Sequence, residues 1–262
     1  MHRLGIYCFG DGFDYPLPLP LIKQVGFDCI FTGDFAKGAD ARACAVQTAE
    51  ECARLGLRYE SIHAPFDGIN EMWRDGEKGD NMLCRLKNSI DICAMLGIPY
   101  TIVHLSSGEN APCVNDIGHA RYDKLVEHAV NKGVTIAFEN QRKLANLAFV
   151  MELYKDVKEV RFCWDVGHEA CFTDGREFMP IFGDKLAYTH IHDNCCIHNG
   201  DDHMIPFDGA IDFTRVASHL KRYAGEDVTL TLELRYHGTE PEDAYIARAY
   251  AAAAKLRTMV EA

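Results

Sequence analysis

The 262-residue chain contains no apolar run near the roughly 20 residues that cross a bilayer, and its N-terminal apolar stretch, Leu4 to Phe9, is too short and too weakly flanked for a secretory signal. No membrane partner is expected, and the expected location is the cytoplasm. Cys-x-x-Cys spacing is also missing. The 11 cysteines are odd in number and scattered, which excludes a disulfide framework and a zinc ribbon. They read as reduced residues, mostly of the core, and the vicinal Cys195 and Cys196 read as two small apolar residues in a loop. Positive charge is scarce: 27 Lys and Arg against 39 Asp and Glu give a net charge of −12. Such a surface repels polyphosphate, so no nucleic-acid partner is expected. No glycine-rich phosphate fingerprint follows the first apolar run. Gly10-Asp11-Gly12 leads instead into the segment Pro16 to Pro20, which argues against a dinucleotide-binding sheet.

What is present is an ordinary globular composition, 48% hydrophobic and 25% charged, with no repeat or linker. One domain over residues 1–262 is expected. Eight short apolar runs read as strands, near residues 3–9, 27–32, 57–63, 100–105, 134–139, 160–166, 186–192 and 228–235. Between them lie helical patterns over 41–55, 81–96, 117–131, 144–154, 211–223 and 241–260. Gly56, Gly97 and Gly133 mark helix ends that need a left-handed residue. Eight alternating βα units in about 250 residues predict a single (β/α)8 TIM barrel, with its active site at the C-terminal ends of the strands. The longest connection, Ala64 to Asp80, carries Phe66, Met72 and Trp73. It reads either as a lid or as a loop packing its aromatic residues on the rim.

Strand parity sorts side chains, because neighbours point to opposite faces. In the last run Val228, Leu230, Leu232 and Leu234 form the outer face, leaving Thr229, Thr231, Glu233 and Arg235 inside. The fifth run places Glu139 inside at its end, the sixth Asp165, and the seventh His190 and His192. The third and fourth end at His63 and His104 with less clean parity. Three carboxylates converging in one mouth repel one another and lose solvation, so the arrangement makes sense around a divalent cation. Three oxygen donors and one imidazole suit Mn²⁺, with Co²⁺, Fe²⁺, Mg²⁺ and Zn²⁺ also compatible. His119, His128 and His219 fall on helical patterns and are expected to be solvated, while His2 is terminal.

The runs Ile136-Ala137-Phe138-Glu139-Asn140, Cys163-Trp164-Asp165-Val166-Gly167-His168, His190-Ile191-His192-Asp193-Asn194, Asp201 to Phe213, and Leu232-Glu233 resemble the xylose-isomerase-like barrel superfamily. Its members include sugar and sugar-phosphate isomerases and epimerases, hydroxypyruvate isomerase, inosose dehydratase and endonuclease IV type nucleases. The resemblance implies that Glu139, Asp165, His190 and Glu233 hold one metal ion. It also implies that Glu139 and Glu233 are the catalytic acid and base of a sugar isomerase or epimerase, which removes a proton beside a carbonyl through a metal-stabilised enediolate. His63, His104, His168, His192 and Arg235 are the expected substrate-binding residues, and a small keto-sugar or polyol derivative is the expected substrate. A homo-oligomer is a family expectation.

Three alternatives remain open from sequence. A dehydratase or lyase shares the first proton abstraction. A three-zinc nuclease would use nine residues that can all be placed here, Asp201 and His203 among them as additional metal ligands. A barrel that binds sugar without turnover, or serves a catalytic partner subunit, is the third. The loop from Asp193 to Asp212 has five aspartates and no Lys or Arg, which weighs against DNA and against a phosphorylated sugar.

Overall fold

Eight parallel strands alternate with helices in the computed structural model, which describes residues 1–9, 17–33, 40–173 and 176–262. The segment Gly10-Asp11-Gly12 lies outside the described residues. β1 (Leu4–Phe9), β2 (Cys29–Thr32), β3 (Arg58–His63), β4 (Tyr100–His104), β5 (Thr135–Glu139), β6 (Val160–Asp165), β7 (Leu186–His190) and β8 (Leu230–Leu232) pair in the order β7-β6-β5-β4-β3-β2-β1-β8. Ile191 brings the two ends of this order together: its N–H donates to Thr231 O at 2.8 Å, and its carbonyl accepts from Glu233 N at 3.1 Å. The Thr189 hydroxyl supplies a further rung at that seam, donating to Thr229 O at 2.9 Å and accepting from Thr231 N at 3.1 Å. The result is the single (β/α)8 TIM barrel expected from the alternation.

The strands are ringed by α1 (Leu19–Val25), α2 (Ala41–Leu55), α3 (Glu77–Leu96), α4 (Asp116–Lys132), α5 (Leu144–Leu153), α6 (Val166–Phe172), α7 (Met179–Phe182), α8 (Phe213–Tyr223) and α9 (Glu242–Glu261). Side chains of Asp40, Asn115 and Asp212 accept from first-turn N–H groups of α2, α4 and α8, donors a helix cannot satisfy internally. Gly56, Gly97 and Gly133 end α2, α3 and α4 with φ of 66°, 68° and 67°, as their spacing predicts. The short helices α1, α6 and α7 are not anticipated by the sequence pattern.

Parity divides the core into two layers. Ile136, Phe138, Phe162, Trp164, Leu230 and Leu232 are fully buried on the helix side. Ile102, Ala137, Cys163 and Tyr188 pack together inside the barrel. Both sets face the way the alternation predicts.

The connection after β3 packs on the barrel and is not a flap. It holds a 3-10 turn, Ile69–Trp73, with Ile69, Met72 and Trp73 buried. Trp73 Nε1 donates to Leu105 O at 2.6 Å, and the Arg121 guanidinium donates to the carbonyls of Glu71, Met72, Arg74 and Gly76. A five-donor planar group is suited to such a cluster of carbonyls.

One expectation is corrected. His219 is not solvated: its side chain is only 15% exposed and its ring packs edge-on against Trp164, because α8 lies over β6. His2 is buried, with Nδ1 2.9 Å from Val228 O. Cys195 and Cys196 lie in a loop, as expected, and are exposed. Among the described residues, no helix is long and apolar enough to cross a membrane.

Candidate metal centre

Parallel strands in a barrel end together at one mouth, so the last inward residue of each is delivered to a common place. Glu139 closes β5, Asp165 closes β6, His190 closes β7, and Glu233 follows β8. One ligand atom from each of these four lies within 4.8 Å of the others. His190 Nδ1 stands 3.1 Å from Glu139 Oε2 and 3.3 Å from Glu233 Oε2. Yet Glu139 Oε2, Asp165 Oδ2 and both ring nitrogens of His190 are buried without a hydrogen bond. One ring nitrogen of His190 and one oxygen of each carboxylate are the atoms that come together. Buried acceptors without donors are costly, and a divalent cation held by three carboxylates and one imidazole would satisfy them. The residues therefore fit a metal ion.

The remaining predicted residues surround this cluster. His63 Nε2 lies 3.3 Å from Glu139 Oε2, His104 Nε2 3.3 Å from Glu139 Oε1, and His168 Nδ1 2.8 Å from Glu139 Oε1. His63, His104, His168 and Arg235 line a cavity of about 590 Å³ above the cluster. His192 is placed differently. It is fully buried, 3.3 Å from Asp165 Oδ1 and stacked on His203 at 4.0 Å, and it does not line the cavity. Asp201 and His203 do reach the cavity, and with His192 they form a second group of side chains that could hold a metal ion.

Asn140, Gln141 and Asp193 were not singled out by the sequence. Gln141 Nε2 lies within 3.3 Å of His104, Glu139 and His168. Asn140 bonds the backbone of Asp165. Asp193 is fully buried and accepts from the backbone N–H groups of Asn194, Phe207, Gly209 and Ile211 at 2.9 to 3.0 Å. It thereby folds its loop back over the mouth and carries Asp201 and His203 to the site. An Asp followed by Asn-Cys-Cys gives no local signal of this, because its four partners include three from 14 to 18 residues away.

Charge balance follows from the contacts. Burial opposes ionisation of Glu139, but the imidazoles packed against it, His104, His190 and His168, outweigh it and hold the carboxyl well below its usual range. Burial likewise opposes charge on His63, and Glu139 overcomes it, raising that imidazole to about 9. His104 is pushed down to about 4 by burial, overcoming Glu139, with His63 and His168 adding to the effect. Burial also works against charge on His203, and Asp201 prevails, raising it to about 9. Glu139 is thus held as the carboxylate that a cation needs.

A barrel with its polar cluster at the C-terminal mouth defines the general class. The chain belongs to the xylose isomerase-like TIM barrel family, which matches residues 19–256. It is 30% identical to the uncharacterized protein y4fM of Sinorhizobium fredii, over 92% of this chain and 88% of that one. It is 26% identical to a probable endonuclease 4 of Haloquadratum walsbyi, over 56% of this chain and 60% of that one. Its fold is similar to the crystal structure of a D-tagatose 3-epimerase-like protein, with a TM-score of 0.75, 18% identity, and coverage of 100% of this chain and 97% of the other.

Proposed function

We propose that this protein is a divalent-metal-dependent isomerase or epimerase of a small keto-sugar or related carbohydrate. The observation that carries the reading is the convergence of Glu139, Asp165, His190 and Glu233 at the cavity floor, with buried ligand atoms lacking hydrogen-bond donors. Three oxygen donors and one nitrogen favour Mn²⁺. When bound, the cation draws charge from a substrate carbonyl and makes the neighbouring carbon-bound proton more acidic. Glu139 and Glu233 then divide the proton work. One carboxylate removes the proton and the other returns one, so both must be close to the reacting carbon. Glu139 and Glu233 both line the cavity, as this role requires. His63, His104 and His168 present ring nitrogens to substrate hydroxyls, and Arg235 stands at the same wall.

The direct test is incorporation of deuterium from solvent into keto-sugars with Mn²⁺ supplied. Glu139→Gln and Glu233→Gln should each slow exchange by about 10²- to 10⁴-fold. Unchanged rates in both variants would overturn the proton-transfer roles and favour a barrel that only binds sugar.

A second reading is a multi-zinc phosphodiesterase, favoured by the His192, Asp201 and His203 group and by the likeness to a probable endonuclease 4. The charge of the mouth argues against it. Among the described residues, Arg142 and Arg235 are the Lys or Arg side chains that line the cavity, too few for a DNA backbone.

A further inference from the structure

We infer that the outer half of the cavity is a second subsite, built for a ring attached to the reacting sugar, so that the substrate is a glycoside and not a free monosaccharide. The inference rests on the proposed sugar chemistry at the floor and deepens it.

Size is the first argument. A pyranose takes up the volume of roughly six waters at ~30 Å³ each, which is about a third of this cavity. The cavity, about 590 Å³, falls in the range that takes ligands larger than one sugar ring. The metal-ligating cluster occupies its floor, leaving the upper walls to meet whatever the sugar carries.

Those walls have the chemistry of a ring-binding site. Phe66 follows β3 and remains 38% exposed, its ring stacked on His104 at 4.8 Å and 29°. Three strands further round the mouth, Phe172 of α6 is stacked on His168 at 4.8 Å and 24°. The guanidinium of Arg142 lies over the Phe172 ring, 3.5 Å from its centroid. Its Nε donates to Asn199 Oδ1 at 3.0 Å, while its terminal nitrogens have no protein hydrogen bond among the described residues. The exposed face of Phe66 can take the flat apolar side of a ring, and the Arg142 guanidinium, resting on the buried Phe172, presents donors beside it. Phe66, Phe172 and Arg142 supply none of the candidate metal-ligand atoms, so they select substrate without entering the proton transfer.

The wall is also preformed. Asn70 Nδ2 donates to Ser107 O at 2.8 Å and its Oδ1 accepts from Ser107 N at 2.9 Å, tying the Phe66 loop to the end of β4. A fixed ring loses little freedom on binding, which favours affinity.

Isothermal titration of the Mn²⁺-loaded protein with matched methyl and phenyl hexopyranosides tests the subsite. The phenyl compound should bind about 10-fold more tightly than its methyl partner. Phe66→Ala and Arg142→Ala should each bring that ratio towards one while leaving the methyl compound unchanged. Phe66→Leu, which keeps apolar volume and removes the ring, should do the same. A ratio near one in the unaltered protein, or one that persists in all three variants, would overturn the inference. A disaccharide titrated beside the phenyl compound names the ring: the tighter of the two reveals a second sugar or an aromatic group. Solvent deuterium exchange, followed separately, judges the reaction; its absence from free and glycosidic keto-sugars alike would remove the isomerase reading while the binding ratio still decides the subsite.

Discussion

Asn140 grips Asp165 at two points: its side-chain amide donates to Asp165 O and its side-chain oxygen accepts from Asp165 N, both at 2.8 Å. The ends of β5 and β6 are thereby locked in register, and the carboxylate of Asp165 is held where its Oδ1 can also accept from His168 N at 2.6 Å. Asn140 is itself fully buried, and its backbone carbonyl lies 3.1 Å from His168 Nδ1.

Removing this grip should loosen the metal centre without removing a ligand. Asn140→Ala is expected to weaken Mn²⁺ binding by about 10- to 100-fold, the usual effect of losing a group that orients a ligand. Calorimetric titration reads the change. An unaltered affinity would separate Asn140 from the centre.

Metal content per chain distinguishes the two functional readings. Protein purified without chelator should carry close to one divalent ion, lost in Asp165→Asn and kept in His203→Ala, by elemental analysis. Chelation should lower the melting temperature of the unaltered protein and leave that of Asp165→Asn unmoved, since an ion that binds only the folded state stabilises it. Three zinc ions, some lost with His203→Ala, would instead support the phosphodiesterase.

Much of this arrangement is legible in the sequence because strand parity is local. Val134, Ile136 and Phe138 alternate with Thr135, Ala137 and Glu139, so the direction of Glu139 follows from its own strand. The same holds for Asp165 and Glu233. Side chains whose position depends on a distant partner are another matter. His219 looks solvated on its helix, but Trp164 of β6 covers it. His192 shares the parity of His190, yet beyond β7 the chain leaves the strand and the ring turns under the site towards Asp165 and Asp201. The four-fold backbone contact of Asp193 and the clamp made by Asn140 belong to the same class. Each is a tertiary fact with no periodic signature.

Gly167 shows how tightly the second layer is packed. A Cβ there would come within 1.9 Å of His192 Cε1. Because His192 is fully buried and stacked on His203, its ring has nowhere nearby to go. Gly167→Ala should cost about 1–3 kcal/mol, as overpacking generally does. A crystal structure of the variant should show a displaced His192; an unmoved ring would contradict the packing argument.

Glu169 anchors the outer side of α6. Its buried carboxylate accepts from Trp164 Nε1 at 2.9 Å, Phe178 N at 2.8 Å and Arg215 at 2.8 Å. Glu169→Ala strands these donors, and a loss of about 3 kcal/mol or more is expected for breaking such a buried pair. In a chain of this size that lowers the melting temperature by roughly 6–12 °C. Calorimetry checks it, and a shift below about 2 °C would show that Glu177, 3.0 Å from Arg215, takes over the role.

The barrel seam at Ile191 lies between two members of the candidate metal set. His190 precedes Ile191, Glu233 follows β8, and their side chains meet at 3.3 Å across the joint that carries the fewest strand-to-strand rungs. A cation held by both would act as a rivet through that joint. Opening of the cylinder and loss of the ion would then become one event, and the exchange rates of the Ile191 and Glu233 amides would be an occupancy gauge built into the backbone itself.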